Sequence, residues 1–160
     1  MPEALDGRGG RGQGGFTLLE LLVVMVVIAV LMAVATPIML EVRNRARDRA
    51  GQATLRHALT AEKAYFADRQ AYTQSAAELL AVEPSLSLDA AADANPTKGS
   101  VSYALVGNAV VLGTQSASGA CFYLKDDPSA TGGGTRYGSD ASAPCPKPSA
   151  KEPAVTLPSW

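Results

Sequence analysis

Glu20 is the residue whose chemistry most needs an explanation. It stands directly before fifteen consecutive apolar residues, Leu21 to Ala35. A charged side chain at the middle of a membrane-spanning helix costs about 2.5–3.5 kcal/mol, and less near the edge. A buried acid in that place needs a basic partner, and the apolar run supplies none. Other chemistry-bearing residues are few. His57 is the only histidine, which all but excludes a zinc site or a histidine-based triad. Cys121 and Cys145 have no neighbouring histidines with which to hold a metal. Asp126, Asp127 and Asp140 offer oxygen ligands of the kind calcium takes. Their spacing matches no EF-hand loop, however, and three solvated loop acids are the plainer reading. Gly132-Gly133-Gly134 is followed by neither Lys-Ser nor Lys-Thr and opens no helix, so it is no phosphate cradle. No nucleophile–base pair, metal cluster or cofactor loop stands out. The expectation is a protein that is not an enzyme and uses neither metal nor cofactor.

The elements that must position Glu20 are helical. From Phe16 to Leu40 the chain is apolar apart from Thr17, Glu20, Thr36 and Pro37. As a helix these 25 residues would span about 38 Å, enough for a bilayer core of about 30 Å. Glu41 to about Asp68 is rich in Ala, Arg, Leu, Glu and Lys, which favour helix. Leu55, Ala58, Leu59, Ala61, Tyr65 and Phe66 fall mostly on one side of it. The two halves predict one helix of some 50 residues. Pro37 removes a backbone donor and should kink it, and Gly51 is a second weak point. Arg43, Arg45, Arg47 and Arg49 alternate just past the apolar run, among Glu41 and Asp48. A solvated helix face is the plain reading of these arginines. The sharper one is a contact with another subunit, or with a phosphate of lipid or DNA.

The remaining chain reads as a small head. Ser75 to Leu80 predicts a helical turn with Ser75 as N-cap and Glu78 at the capping-box position, and Pro84 ends it. Ser87 to Ser100 reads as a polar, alanine-rich loop. Val101 to Gln115 predicts a hairpin around Gly107-Asn108. A two-residue loop pairs Val106 with Ala109, Leu105 with Val110 and Tyr103 with Leu112. Val101, Tyr103, Leu105, Val110 and Leu112 then share the face to be buried under the helix. Ala120 to Lys125 predicts a third strand, and Thr135 to Gly138 a short edge strand. From Pro144 onward five prolines predict an extended or disordered tail, with Trp160 either packed on the head or loose. The fold class is α+β: a long N-terminal helix on a small antiparallel sheet of three to four strands. The expected divisions are residues 1–15, 16–40, 41–143 and 144–160.

Gly14-Gly15-Phe16-Thr17-Leu18-Leu19-Glu20, the apolar helix behind it, and Pro37 resemble the signature of type IV prepilins and the related pseudopilins. The resemblance is strongest from Gly14 to about Leu40. It implies a cytoplasmic leader, residues 1–15, cut between Gly15 and Phe16 by a prepilin peptidase that commonly also methylates the new amine of Phe16. It implies that Glu20 meets the N-terminal amine of a neighbouring subunit, and that Pro37 lies at the family's usual helix proline. The expected partners are that peptidase, other pilin subunits, an inner-membrane assembly machinery, and the membrane before assembly. The expected places are the cytoplasmic membrane, as a single pass with the head outside, and an extracellular filament. That topology puts the four arginines outside, against the positive-inside rule. In the family, leader recognition and the export machinery set the orientation.

A rival reading uses the same residues. Arg8 and Arg11 make an n-region, Leu21 to Met32 an h-region, and Ala33-Val34-Ala35 an A-x-A site, so that a secreted domain would begin at Thr36. Glu20 beside the h-region, and a helical pattern continuing past Ala35, count against it. A secretion-system pseudopilin is a further alternative, although the two-cysteine head resembles pilins somewhat more. Either route exports the head, which permits a disulfide, and the two cysteines predict Cys121–Cys145. The formal net charge is −1 at pH 7, so a general polyanion binder is not indicated and nucleic acid is not an expected partner.

Overall fold

A computed structural model describes residues 15–129, 133–151 and 155–160. It divides into two compact units, one ending at Leu40 and one running from Glu41 to Trp160. Helix α1 is assigned from Leu18 to Arg69 and so contributes to both. Its first part is apolar all round, and its large side chains are exposed from Leu18, at 82 %, to Ile28, at 42 %. Among the described residues, nothing in the first unit covers them. Within the helix Thr36 donates from Oγ1 to the Met32 carbonyl at 2.8 Å, one position before Pro37, which has no donor to give. The helix ends at Gln70, whose N–H still reaches the Phe66 carbonyl at 2.8 Å. Its φ is 57°, a left-handed closure usually taken by glycine.

In the second unit the helix lies over one face of a four-stranded antiparallel sheet. Strands β1 (Val101–Val106), β2 (Ala109–Gln115), β3 (Cys121–Asp127) and β4 (Gly134–Asp140) follow in chain order. The expected hairpin register is present: Val106 pairs with Ala109, Leu105 with Val110 and Tyr103 with Leu112. Gly107, at φ 63°, takes the conformation that favours glycine at a hairpin turn. Alternation along the strands sends Val101, Tyr103, Val110, Leu112, Phe122 and Leu124 to the helix, where Leu55, Ala58, Leu59 and Ala61 meet them. Thr114 lies on the same face beneath Gly51, where an added Cβ would find only ordinary contacts near 3.6 Å.

The opposite face is also covered, and here the structure departs from the sequence expectation. The tail is neither extended away nor disordered in its described residues. Cys145 and Val155 pack with Cys121 and Tyr123 in a second core cluster. The Tyr123 hydroxyl donates to the Pro146 carbonyl at 2.7 Å. A short helix α3 (Pro148–Lys151) lies against β1 and β2. Ser149 donates from both N and Oγ to the Asp93 carboxylate. Leu157 then pairs with Tyr137 through two backbone bonds of 2.8 and 3.0 Å, extending the sheet past β4. Trp160 is packed: its Nε1 donates to the Gly138 carbonyl at 3.1 Å, and its ring stands edge-on to Tyr137 and Phe122.

Helix α2 (Ala76–Val82) begins as expected, with Ser75 Oγ accepting from the Glu78 N–H. The reciprocal half of the capping box is not made. The Glu78 carboxylate instead accepts from the Thr73 hydroxyl, and Thr73 Oγ1 accepts from the Ser75 N–H at 2.9 Å. Thr73 thus takes both partners that the box would have joined.

Candidate functional site: the N-terminal segment

Gly15, Phe16 and Thr17 lie outside regular structure, immediately before α1. A Cβ added at Gly15 would meet nothing within 4 Å, and Phe16 is 78 % exposed. Among the described residues nothing covers either side of the Gly15–Phe16 peptide. The expected leader up to residue 14 lies outside the described residues.

Thr17 caps the helix. Its Oγ1 accepts from the Glu20 N–H at 3.2 Å, and its carbonyl lies 3.1 Å from the same nitrogen. Thr17-Leu18-Leu19-Glu20 is thus a Ser/Thr-x-x-Glu pattern at a helix start, a local signal the sequence reading passed over. Glu20 sits in the first helical turn, where the unpaired N–H groups and the helix dipole favour a carboxylate. Among the described residues its carboxylate has no hydrogen-bond or ion-pair partner. It is an exposed acid at the positive end of an exposed apolar helix. Pro37 lies within the same helix.

The four arginines do not act as one group. Arg45 pairs with Glu41, and Arg47 donates to the Asn44 side chain at 3.2 Å. Arg43 and Arg49 make no ion pair or hydrogen bond among the described residues. Asp48 accepts from the Ser118 hydroxyl.

Cys121 and Cys145 form the expected disulfide, with Cα atoms 5.7 Å apart. It ties β3 to the tail and lies under the sheet face that the tail covers. The three aspartates do not gather. Strand alternation puts Asp126 on the helix side of β3 and Asp127 on the other, and Asp140 pairs with Cys121 at the far end of the strand. Asp126 takes Lys63 at 3.1 Å, Thr135 at 2.5 Å and the Tyr72 hydroxyl. Burial first, and then the bond to Asp126, push the Tyr72 hydroxyl well above its ordinary range. Asp127 binds Ser129. Asp140 pairs with Lys151 and Ser142, which hold it down to about 2. Among the described residues no three acids, cysteines or histidines come together as a metal site.

Comparison with known proteins points back to the N-terminus. The prokaryotic N-terminal methylation motif matches residues 10–36, spanning Gly15, Phe16 and Glu20. The type IV wide pilus major component PilA4 of Thermus thermophilus is 38 % identical over 72 residues, covering 45 % of this chain and 55 % of that one. The type IV major pilin protein PilA of Myxococcus xanthus is 32 % identical over 65 residues, 41 % of this chain and 30 % of the relative. The matches thus span about half of the first relative and less than a third of the second. Both the signal at its start and the two relatives make the chain similar to type IV pilins over its N-terminal part.

Proposed function

We propose that the chain is a structural subunit, not an enzyme, of a type IV pilus-like filament. Before use it is held in the cytoplasmic membrane by residues 16–40, with its head outside. A prepilin peptidase cuts between Gly15 and Phe16 and methylates the Phe16 amine, and an inner-membrane machinery assembles the subunits. The observation that carries this reading is Glu20: among the described residues it is a carboxylate without a partner, one turn into an apolar helix that nothing in its own unit covers.

The chemistry follows from the cut. Before it, Phe16 has a neutral amide nitrogen; afterwards it has an amine, positive when protonated, and methylation keeps that charge. Glu20 then meets the amine of a neighbouring subunit. Desolvation offsets much of the attraction in a buried ion pair, whereas an unpaired buried charge costs several kcal/mol. The pair therefore acts mainly on register, while the apolar helices pack against one another by van der Waals contact. Release of a domain at Thr36 is less well supported. Residues 33–36 lie inside α1, with Thr36 bonded back to Met32.

The test is Glu20→Ala in cells making only the variant, scored as subunit in sheared filaments relative to the membrane pool. The membrane pool should persist, because the change removes a polar group from an apolar helix, while the filament fraction falls. Glu20→Gln, which keeps an acceptor without the charge, should be intermediate. Undiminished incorporation of Glu20→Ala would remove Glu20 from the mechanism.

A further inference from the structure

The head carries opposite charge at two of its corners. Residues 41–49 hold four arginines against two acids, whereas residues 66–83 hold three acids against one base. Arg45 is taken by Glu41, and Asp48 by Ser118. Arg49 is exposed and has no hydrogen-bond or ion-pair partner among the described residues. At the other corner Glu78 is bonded by Thr73 and Glu83 by Ser85, while Arg69 stacks on Tyr65. Asp68 is the acid left over: it too is exposed and makes no bond among the described residues. Beyond Val42, the exposed large hydrophobics among the described residues are Leu80, Val82 and Leu157. Two of these three stand beside the unspent charges. Leu157, 51 % exposed, lines a groove of about 370 Å³ with Arg49, Phe122, Ser139 and Trp160. Val82, 42 % exposed, lines a surface with Asp68, Glu78 and Ala81.

The two corners cannot satisfy each other within one head. Arg49 and Asp68 both belong to α1, nineteen residues apart, which holds them about 28 Å apart along the helix. They also lie on opposite flanks. The groove opens toward β3, β4 and the end of the tail. Helix α2 begins where the Ala76 backbone bonds the Tyr103 hydroxyl of β1, at the other side of the sheet. The groove's apolar wall is already formed, because Trp160 is fixed by Gly138, by the Tyr137 ring and by the Arg56 guanidinium. A cation beside an apolar wall at one corner thus matches an acid beside an apolar side chain at the other. A contact between two different patches does not close on itself as a two-fold dimer does, and it can repeat from copy to copy.

We propose that these corners are the two halves of one contact between the heads of successive copies of this chain. The Ala81–Val82 end of α2 in one copy enters the groove of the next, against Leu157 and Trp160, with Asp68 facing Arg49. This rests on the filament subunit of the previous subsection and adds a contact between heads to the one made by Glu20. An exposed ion pair contributes little affinity of its own, so Asp68 and Arg49 select the partner face and its register. The contact is small, and it becomes effective where assembly already holds copies side by side.

The test uses Arg49→Lys, which keeps the charge and supplies an amine that carbodiimide can couple to a carboxylate in direct contact. Sheared filaments of this variant would be treated with carbodiimide, digested and searched by mass spectrometry. The expected product is an amide between the amine at position 49 and Asp68. The separation along α1 forbids that link within one chain, so it must join two copies. It should vanish when Asp68→Asn is added. In cells making only the variant, Arg49→Glu and Asp68→Arg should each lower the filament share of the subunit at least about tenfold, and the two together should restore it to within about twofold of wild type. Both side chains are exposed and unbonded, so each variant should keep the near-ultraviolet circular dichroism of the wild type. Lys147→Glu, outside both corners, should assemble normally. Filaments of the Arg49→Lys variant that lack the link, or single reversals that assemble like wild type or are not rescued by the double change, would overturn this inference alone. Absence of the wild-type chain from filaments would defeat both this inference and the reading beneath it.

Discussion

Glu62 should make the head less stable as pH rises through neutrality. It faces the sheet from α1 with none of its surface exposed. Oε2 accepts from the Thr73 N–H at 3.2 Å, while Oε1 has no partner. Burial pushes the carboxyl up to about 7, against the Thr73 bond and with help from Glu78. An unfolded glutamate titrates near 4.5. Between these values the folded head holds a proton that the unfolded chain has released. The contribution of Glu62 to stability is therefore fully present below about pH 4.5, falls through the window and levels off above about 7. At 1.36 kcal/mol per pKa unit the full penalty is about 3 kcal/mol. For a head of this size that corresponds to a fall of about 10 °C in Tm. Glu62→Gln keeps an acceptor for Thr73 and cannot ionise, so its Tm should be nearly flat from pH 5 to 8. Other groups titrating in the window change both proteins alike. The assay is thermal melting by near-ultraviolet circular dichroism, on full chain in neutral detergent at pH 5, 6, 7 and 8. A wild-type Tm that does not fall, or a Gln variant that falls equally, would refute the reasoning.

Breaking the disulfide with Cys121→Ser should cost about 3–4 kcal/mol in the chain-entropy account. Hydrogen exchange should show faster loss of protection at Leu157 and Ser149, which lie beyond the tie, than at β2. Gly113→Ala should cost about 1–3 kcal/mol by overpacking, because the new Cβ would come within 2.9 Å of Pro96 and 3.0 Å of the Tyr123 ring. A melting curve unchanged by that substitution would mean that the tail-side face is looser than its packing implies.

The parts of the fold legible in the sequence rest on short-range rules. Period-two alternation around Gly107-Asn108 specified the hairpin register, because a slip of one residue would turn Tyr103 and Leu112 away from the helix. The stripe from Leu55 to Ala61 located the helix face in the same way. The tail was not legible because its prolines carry no periodicity. Its order comes from distant partners: Cys121, Asp93, Tyr123 and Tyr137. For the same reason burial of Ala104 and Val111 on the second sheet face went unforeseen. At Glu78 a local rule lost to a neighbour, since Thr73 offered its carboxylate a closer donor than the Ser75 backbone. At the N-terminus Glu20 acts twice, since its backbone N–H closes the Thr17 cap while its side chain stands apart. Asp126 looked like a solvated loop residue but lies on a strand, where its position under the helix gives it Lys63 and Tyr72.

The most direct test of the pilus-subunit account is the intact mass of the mature chain, purified from membranes and from sheared filaments. The account predicts a chain beginning at Phe16, one methyl group heavier than the sequence from Phe16 onward. It should carry the Cys121–Cys145 disulfide and be found in both fractions. A mature chain beginning at Thr36 would contradict it, since such a protein would have lost Glu20 and the apolar helix through which subunits are proposed to assemble.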